Sequence, residues 1–212
     1  AKTFLLGEYV ALQGGPAIIL TTAPCFEVGV TTTQHIKKIH PESPAGRFWT
    51  HSGMPGDLTW VDPYDGIGGL GASSAQFLGA YAAYLSQHQA VFAQKPLLEA
   101  YWDASFTNTG IRPSGYDVLA QAQSGCVYLH RNQSDNKVYD WPFANLAFIL
   151  LHTGKKLATH HHLQTLAMTD LMRTLSPIVG LGKQAFETNN SALLIQAVNA
   201  YHEQLQALNL VA

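Results

Sequence analysis

The chain reads as an α+β protein built in two parts. Three observations carry this expectation. The first third is rich in short β-type runs, a loop of small residues from Gly68 to Ala75 opens the first long helical stretch, and beyond Lys156 the apolar period is helical. With 212 residues, 47% of them hydrophobic and 12% charged, the chain can bury a full core. A boundary is expected near Asn145, dividing an N-terminal α/β part, 1–144, from a C-terminal part, 145–212.

Lys2-Thr3-Phe4-Leu5-Leu6-Gly7 is a short β-type run ended by glycine. Glu8-Tyr9-Val10-Ala11-Leu12 leads into the turn Gln13-Gly14-Gly15-Pro16, and Ala17-Ile18-Ile19-Leu20 follows as a second apolar run. Phe26 to Thr33 alternates in the manner of a strand, so a mostly antiparallel sheet is expected here. Residues Pro41 to Pro63 hold proline, glycine, serine and aromatics without a sustained period, which predicts edge strands and loops. Ser73 to about Phe92 is expected as a helix with one broad apolar face, and a second helix is expected to start near Pro96 and run through Trp102. Pro113-Ser114-Gly115-Tyr116-Asp117 should open a short helix closed at Ser124-Gly125. Cys126–Arg131 and Val138–Phe143 flank a polar turn and read as a hairpin. Ala147-Phe148-Ile149-Leu150-Leu151 reads as a buried strand, although the C-terminal part offers it no partner strand. Helices are expected through Leu163, Leu166, Leu171 and Leu175, around Ile178–Glu187, and over Ala192–Leu208.

Composition excludes several classes of function. Twelve basic against 14 acidic residues leave no footprint for nucleic acid, and no run has the length of a membrane span. A small-molecule ligand is the expected partner. No secretory signal is visible, and Cys25 and Cys126 suit two reduced thiols, so the expected location is the cytoplasm. The chain lacks an initiator Met, and a missing true N-terminus is the corresponding expectation. His160-His161-His162 cannot converge on one ion from a helix, because adjacent residues point about 100° apart. Neither a nucleophile elbow nor a P-loop pattern occurs, and the small-residue loop lacks the third glycine of a dinucleotide fingerprint.

That loop, Gly68-Gly69-Leu70-Gly71-Ala72-Ser73-Ser74-Ala75, has the chemistry of an anion cradle. Gly69 and Gly71 can take positive φ and admit a ligand close to the backbone, while the first N–H groups of the following helix point outward without intrahelical partners. Ser73 and Ser74 supply hydroxyls able to cap the helix, touch phosphate, or complete the shell of a magnesium ion carried by a nucleotide. A capped glycine loop without a ligand satisfies the same residues.

Taken together, Lys2 with Gly7-Glu8-Tyr9, the segment Gly69-Leu70-Gly71-Ala72-Ser73-Ser74-Ala75, and Pro113-Ser114-Gly115-Tyr116-Asp117 resemble the GHMP kinase superfamily, named for galactokinase, homoserine kinase, mevalonate kinase and phosphomevalonate kinase. The hairpin after Asp117 and Thr153-Gly154-Lys155-Lys156-Leu157-Ala158-Thr159 look most like its phosphomevalonate kinase branch. The resemblance spans essentially the whole chain. It implies a two-domain fold, with an N-terminal domain like domain 2 of ribosomal protein S5 and an incomplete ferredoxin-like C-terminal domain. The family's third, glycine-rich motif would follow a helix like Ala192–Leu208, so truncation before that motif is expected.

The resemblance also implies roles. The reaction would be ATP-dependent transfer of the γ-phosphoryl group to phosphomevalonate, with mevalonate or another family substrate as alternatives, or ligand binding without transfer in a degenerate member. ATP and Mg2+ would be the cofactors and a small-molecule phosphate acceptor the partner, in a monomer or a homodimer. Asp117 would accept or orient the nucleophile's proton and Lys2 would sit beside it. Gly69, Leu70, Gly71, Ala72, Ser73 and Ser74 would hold phosphates, with Ser73 on magnesium. Glu8, Tyr9, Ser114 and Gly115 would contact the acceptor. Glu99 or Asp103 would be a second magnesium ligand or a surface carboxylate, and Lys155 and Lys156 would reach an anionic acceptor or form a solvated turn.

Overall fold

The computed structural model describes residues 1–32, 38–106, 110–152, 154 and 168–210. In chain order the elements are β1 (Lys2–Leu6), β2 (Ala17–Thr21), β3 (Glu27–Thr31), α1 (Pro44–His51), β4 (Asp57–Val61), α2 (Ala72–Gln87), α3 (Gln94–Ser105), α4 (Tyr116–Gln121), β5 (Cys126–His130), β6 (Asp135–Tyr139), α5 (Met168–Glu187) and α6 (Ser191–Ala207). They group into two compact units that interleave in sequence. The first holds Ala1–Lys2 and Thr22–Ala122, the second Thr3–Thr21 and Gln123–Ala212.

In the first unit β3 and β4 form an antiparallel ribbon with Val28 opposite Trp60 and Val30 opposite Leu58. Helix α2 lies on this ribbon so closely that a Cβ at Gly79 would fall 2.5 Å from Val28 Cβ. Its other apolar residues gather α1 and α3. Phe48 of α1 meets Phe77, Tyr81 and Tyr84 at ring-centroid distances of 5.2, 5.7 and 5.5 Å, and Tyr101 of α3 meets Phe77 at 5.1 Å. Phe77, Ala80 and Tyr81 are buried, the spacing of a helix with its core on one face.

In the second unit the sheet order is β1-β2-β5-β6, with β2 and β6 both antiparallel to β5. The two middle strands are apolar without alternation, Ala-Ile-Ile-Leu in β2 and Cys-Val-Tyr-Leu in β5, and all eight residues are buried. Burial pushes the Cys126 thiol up to about 11, so it stays protonated and inert at neutral pH. Leu171, Leu175 and Val179 recur every four residues on α5 and are buried. Gly182 continues that face, where a Cβ would stand 2.5 Å from Leu6 Cδ1 and 3.0 Å from Ile18 Cδ1. Leu194, Ala197 and Tyr201 form the buried stripe of α6, which packs on α5.

Several elements differ from the sequence expectation. Pro41–Pro63 contains the helix α1, started by Ser43, whose Oγ accepts from the Gly46 N–H at 3.1 Å, with Pro44 in the first turn. Ala147–Leu151 is not a strand. It is irregular and exposed, with Ile149 84% and Leu151 80% accessible, because an apolar run becomes a strand only where a neighbour completes its hydrogen bonds. Helix α2 ends at Gln87 rather than Phe92, and the stretches expected as separate around Leu171 and Ile178 are one helix with Pro177 inside it. Lys155, Lys156, His160, His161, His162, Leu163 and Leu166 lie outside the described residues. Among the described residues no helix is long and apolar enough to cross a membrane.

Candidate functional site

The small-residue loop and Asp117 both belong to the first unit. Residues Asp65–Gly69 are exposed, and Gly66 and Gly69 take positive φ in open space. Just before them Asp62 fixes the turn: its two carboxylate oxygens accept from the Tyr64 and Gly66 N–H groups, each at 2.9 Å. Gly71 is the N-cap of α2, in the left-handed conformation at φ +79°, and no side chain caps the helix. Here a glycine is required by space as well as by φ. A Cβ would lie 2.7 Å from Lys2 Cγ and 2.9 Å from Gln121 Nε2.

Ser73 and Ser74 are separated by this geometry. Ser73 is exposed in the first turn of α2, whereas Ser74 is 3% exposed, and its hydroxyl sits 2.7 Å from Gln121 Oε1 and 2.9 Å from the Gly71 carbonyl. Neither caps the helix through its side chain, in contrast to one use expected of them. Gln121 Nε2 also donates to the Gly71 carbonyl, at 3.1 Å.

Lys2 is placed at the foot of the loop. Its backbone N–H donates to the Leu70 carbonyl at 3.0 Å, and its side chain, 9% exposed, carries Nζ to 3.0 Å from Asp117 Oδ2. Asp117 is in the first turn of α4 and is 34% exposed. A carboxylate there is favoured by the helix dipole, and the ammonium beside it leaves a compact pair at the edge of solvent. Gly115, at φ +76°, starts α4, and a Cβ there would run into Leu98 of α3. Ser114 Oγ accepts from the Tyr116 N–H at 3.2 Å, and the Pro113 carbonyl accepts from Trp102 Nε1 at 2.8 Å. The Arg112 guanidinium lies 4.0 Å from the centre of the Trp102 ring. Burial first, and the charge of Asp117 second, push the Tyr101 hydroxyl up to about 12.

The structure therefore gathers Lys2, Leu70, Gly71, Ser74 and Asp117, with Ser114 and Gly115 shaping the approach to Asp117. The alternatives for α3 are placed elsewhere. Glu99 is exposed with Lys95 3.9 Å away, and Asp103 lines a cavity of about 270 Å3 with Arg47, Phe48 and His51. Among the described residues no group of three His, Cys, Asp or Glu side chains is placed to hold a metal ion. Glu8 and Tyr9 belong to the second unit, where Glu8 is exposed and the Tyr9 hydroxyl donates to the Leu210 carbonyl at 3.2 Å. Tyr201 is buried beside that turn, with its hydroxyl facing the Gly7 and Tyr9 backbone without a hydrogen bond of ordinary geometry. Gln121 and Tyr101 were not singled out from sequence. Gln121 had one usable signal: it lies four residues after Asp117, on the same helix face.

No family model matches the chain, and no curated protein matches it in sequence. Solved structures do match in fold. Streptococcus pneumoniae phosphomevalonate kinase in complex with phosphomevalonate and AMPPNP superposes with a TM-score of 0.67 at 16% identity, over 98% of this chain and 78% of that one. L. major mevalonate kinase in complex with R-mevalonate gives 0.66 at 17% identity, over 98% and 73%. A mevalonate diphosphate decarboxylase from Legionella pneumophila gives 0.63 at 11% identity, over 98% and 75%. The chain has the mixed α/β fold, antiparallel sheet with helices, that these proteins share.

Proposed function

We propose that the protein is an ATP-dependent kinase of the GHMP type, acting in the cytoplasm on a small-molecule acceptor, with phosphomevalonate the first candidate and mevalonate the next. The observation that carries this reading is the Lys2–Asp117 pair, 3.0 Å apart, lying directly against the uncapped, glycine-started N-terminus of α2. It is supported by a fold shared with a kinase solved with AMPPNP.

Phosphoryl transfer asks for positioning and charge stabilisation more than for covalent chemistry. The first N–H groups of α2 would bind phosphate oxygens, and Gly69 and Gly71 keep side chains out of their way. Asp117 would orient the attacking oxygen and take its proton where the acceptor is a hydroxyl. For a phosphate monoester, already ionised, Asp117 would act by position alone. Lys2, with Nζ 3.0 Å from Asp117 Oδ2, would orient the carboxylate and offset charge that develops beside it. The donor set fits a metal delivered by the nucleotide: Ser73 would supply one exposed hydroxyl, and phosphate oxygens the rest. When bound, Mg2+ neutralises charge on those phosphate oxygens.

Phosphate transfer from ATP, measured with phosphomevalonate, mevalonate, homoserine and a panel of sugars, tests the reading. We expect turnover with one of the first two and a loss on the order of 100-fold or more in Asp117→Asn. An unchanged rate in Asp117→Asn would sink the role given to this carboxylate. Nucleotide binding without transfer to any acceptor would replace the kinase with a ligand-binding protein of the same fold.

A further inference from the structure

We propose that Gln121 is a positioning residue that fixes and polarises the phosphate cradle and ties it to the helix carrying Asp117. The inference rests on the kinase reading above, and it concerns a residue without a role in that reading.

The Gly71 carbonyl is unusually well provided with donors. The Ala75 N–H reaches it at 2.9 Å as the first intrahelical bond of α2, Gln121 Nε2 reaches it at 3.1 Å, and the Ser74 hydroxyl lies at 2.9 Å. Ser74 has one proton, and Gln121 Oε1, at 2.7 Å, is its nearer acceptor. The side-chain amide thus closes a ring: it donates to Gly71 through nitrogen and accepts from Ser74 through oxygen. Both ends of the ring belong to the start of α2.

Two consequences follow from this arrangement. The Gly71 carbonyl and the Ala72 N–H are the two ends of one peptide unit. Hydrogen bonds accepted by that oxygen draw electron density toward it and make the N–H a stronger donor, the cooperative effect of hydrogen bonds in series. Ala72 is the first residue of α2, so its N–H is among those turned toward an anion. Gln121 also stands one helical turn after Asp117 on α4. The same short helix therefore presents a carboxylate to Lys2 and an amide to the cradle, and its placement sets the distance between nucleotide phosphates and attacking group. Ser74 is committed to this ring and buried, which leaves Ser73 as the hydroxyl facing solvent.

The test uses Gln121→Leu, which keeps bulk and removes both hydrogen bonds, and Ser74→Ala, which removes one. ADP affinity by calorimetry, kcat and KM for ATP, and the melting temperature are read for both and for the wild type. We expect ADP affinity to fall roughly ten-fold in Gln121→Leu and less in Ser74→Ala, the worth of one to two neutral hydrogen bonds, with kcat lowered as well. A purely structural Gln121 would lower the melting temperature and leave the ADP affinity of the folded protein unchanged, and that result overturns the proposal while the kinase reading stands. If Gln121→Leu does not fold, Ser74→Ala decides alone, and unchanged ADP affinity there overturns the proposal. A wild type that binds no ADP ends both readings together.

Discussion

Helices α1 and α6 begin differently from α2 and α4. In the first pair a side chain closes the end: Ser43 accepts from the Gly46 N–H, and Asn190 accepts from the Leu193 N–H at 3.0 Å. In the second pair a left-handed glycine, Gly71 or Gly115, stands at the N-cap and no side chain caps the helix. A capped end has satisfied part of its donor set within the chain. The uncapped end of α2 keeps its donors and its dipole for something else, whereas at α4 the Tyr116 N–H is accepted by Ser114 Oγ at 3.2 Å. Helix α3 also lacks a side-chain cap, but it starts from Ala93 in extended conformation. The glycine-started ends are the ones that meet at Lys2, Asp117 and Gln121, so in the first unit a left-handed glycine at the N-cap, more than a missing cap, marks the helices that present chemistry.

The sharpest way to break this comparison is Gly71→Ala. The new Cβ would meet Lys2 and Gln121 while the backbone is held at positive φ, so we expect about 2–4 kcal/mol of destabilisation in denaturant unfolding and loss of nucleotide binding. Gly69→Ala separates stability from binding: a Cβ there meets open space, so we expect only about 1 kcal/mol of backbone strain in unfolding, with nucleotide affinity still weakened because the methyl enters the phosphate loop. Gly115→Ala should come next. It presses on Leu98 and tilts α4, and we expect kcat to fall more than nucleotide affinity in a steady-state assay. A fall in affinity instead would mean that α4 serves the cradle more than the carboxylate.

At the capped ends, Ser43→Ala and Asn190→Ala should each cost about 1 kcal/mol in thermal or denaturant unfolding and leave ADP affinity as it was. A cap mutant that weakened ADP would erase the distinction between the two kinds of helix start. The smallest effect lies away from both. Lys183 holds Asp135 at 2.5 Å and Lys137 holds Glu187 at 2.6 Å, and these hydrogen bonds keep both carboxyls below their ordinary values. A carboxyl lowered in the folded state contributes stability that is complete above its unfolded pKa and is lost as the pH falls through the folded one. Unfolding followed below about pH 4.5 should therefore show a shallow loss, on the order of 0.2–1 kcal/mol for each of these part-exposed pairs.

The parts of the site legible in sequence are those in which local chemistry decides conformation. Gly71 and Gly115 marked turns because a helix entered at positive φ favours glycine, and Asp117 followed one of them at a helix start. The hairpin of β5 and β6 was equally local, although its second strand is Asp135–Tyr139 rather than Val138–Phe143: it begins inside the stretch expected as polar turn, because its residues pair with Cys126–His130 whatever their polarity. Helix α1 was missed because eight residues hold little more than two turns of amphipathic period, and the four prolines of Pro41–Pro63 obscured the Ser43-Pro44 start. Gln121 was missed because a glutamine on a short helix looks like any solvated residue until the Gly71 carbonyl is seen opposite its amide. The fate of Ala147–Leu151 could not be read locally at all, since strand formation there depends on a neighbour that the run itself does not encode.

Phe148, Ile149, Leu150 and Leu151 are four exposed large apolar residues, and among the described residues no strand pairs with this segment. The formal net charge is only −2 at pH 7, with a sequence pI of about 6.6, so electrostatic repulsion between molecules is weak where the protein is normally handled. An exposed apolar run of this kind favours cross-β pairing between molecules, and colloidal stability should improve with distance from the isoelectric point. Replacing Ile149 with lysine would interrupt the sticky tract without touching the core.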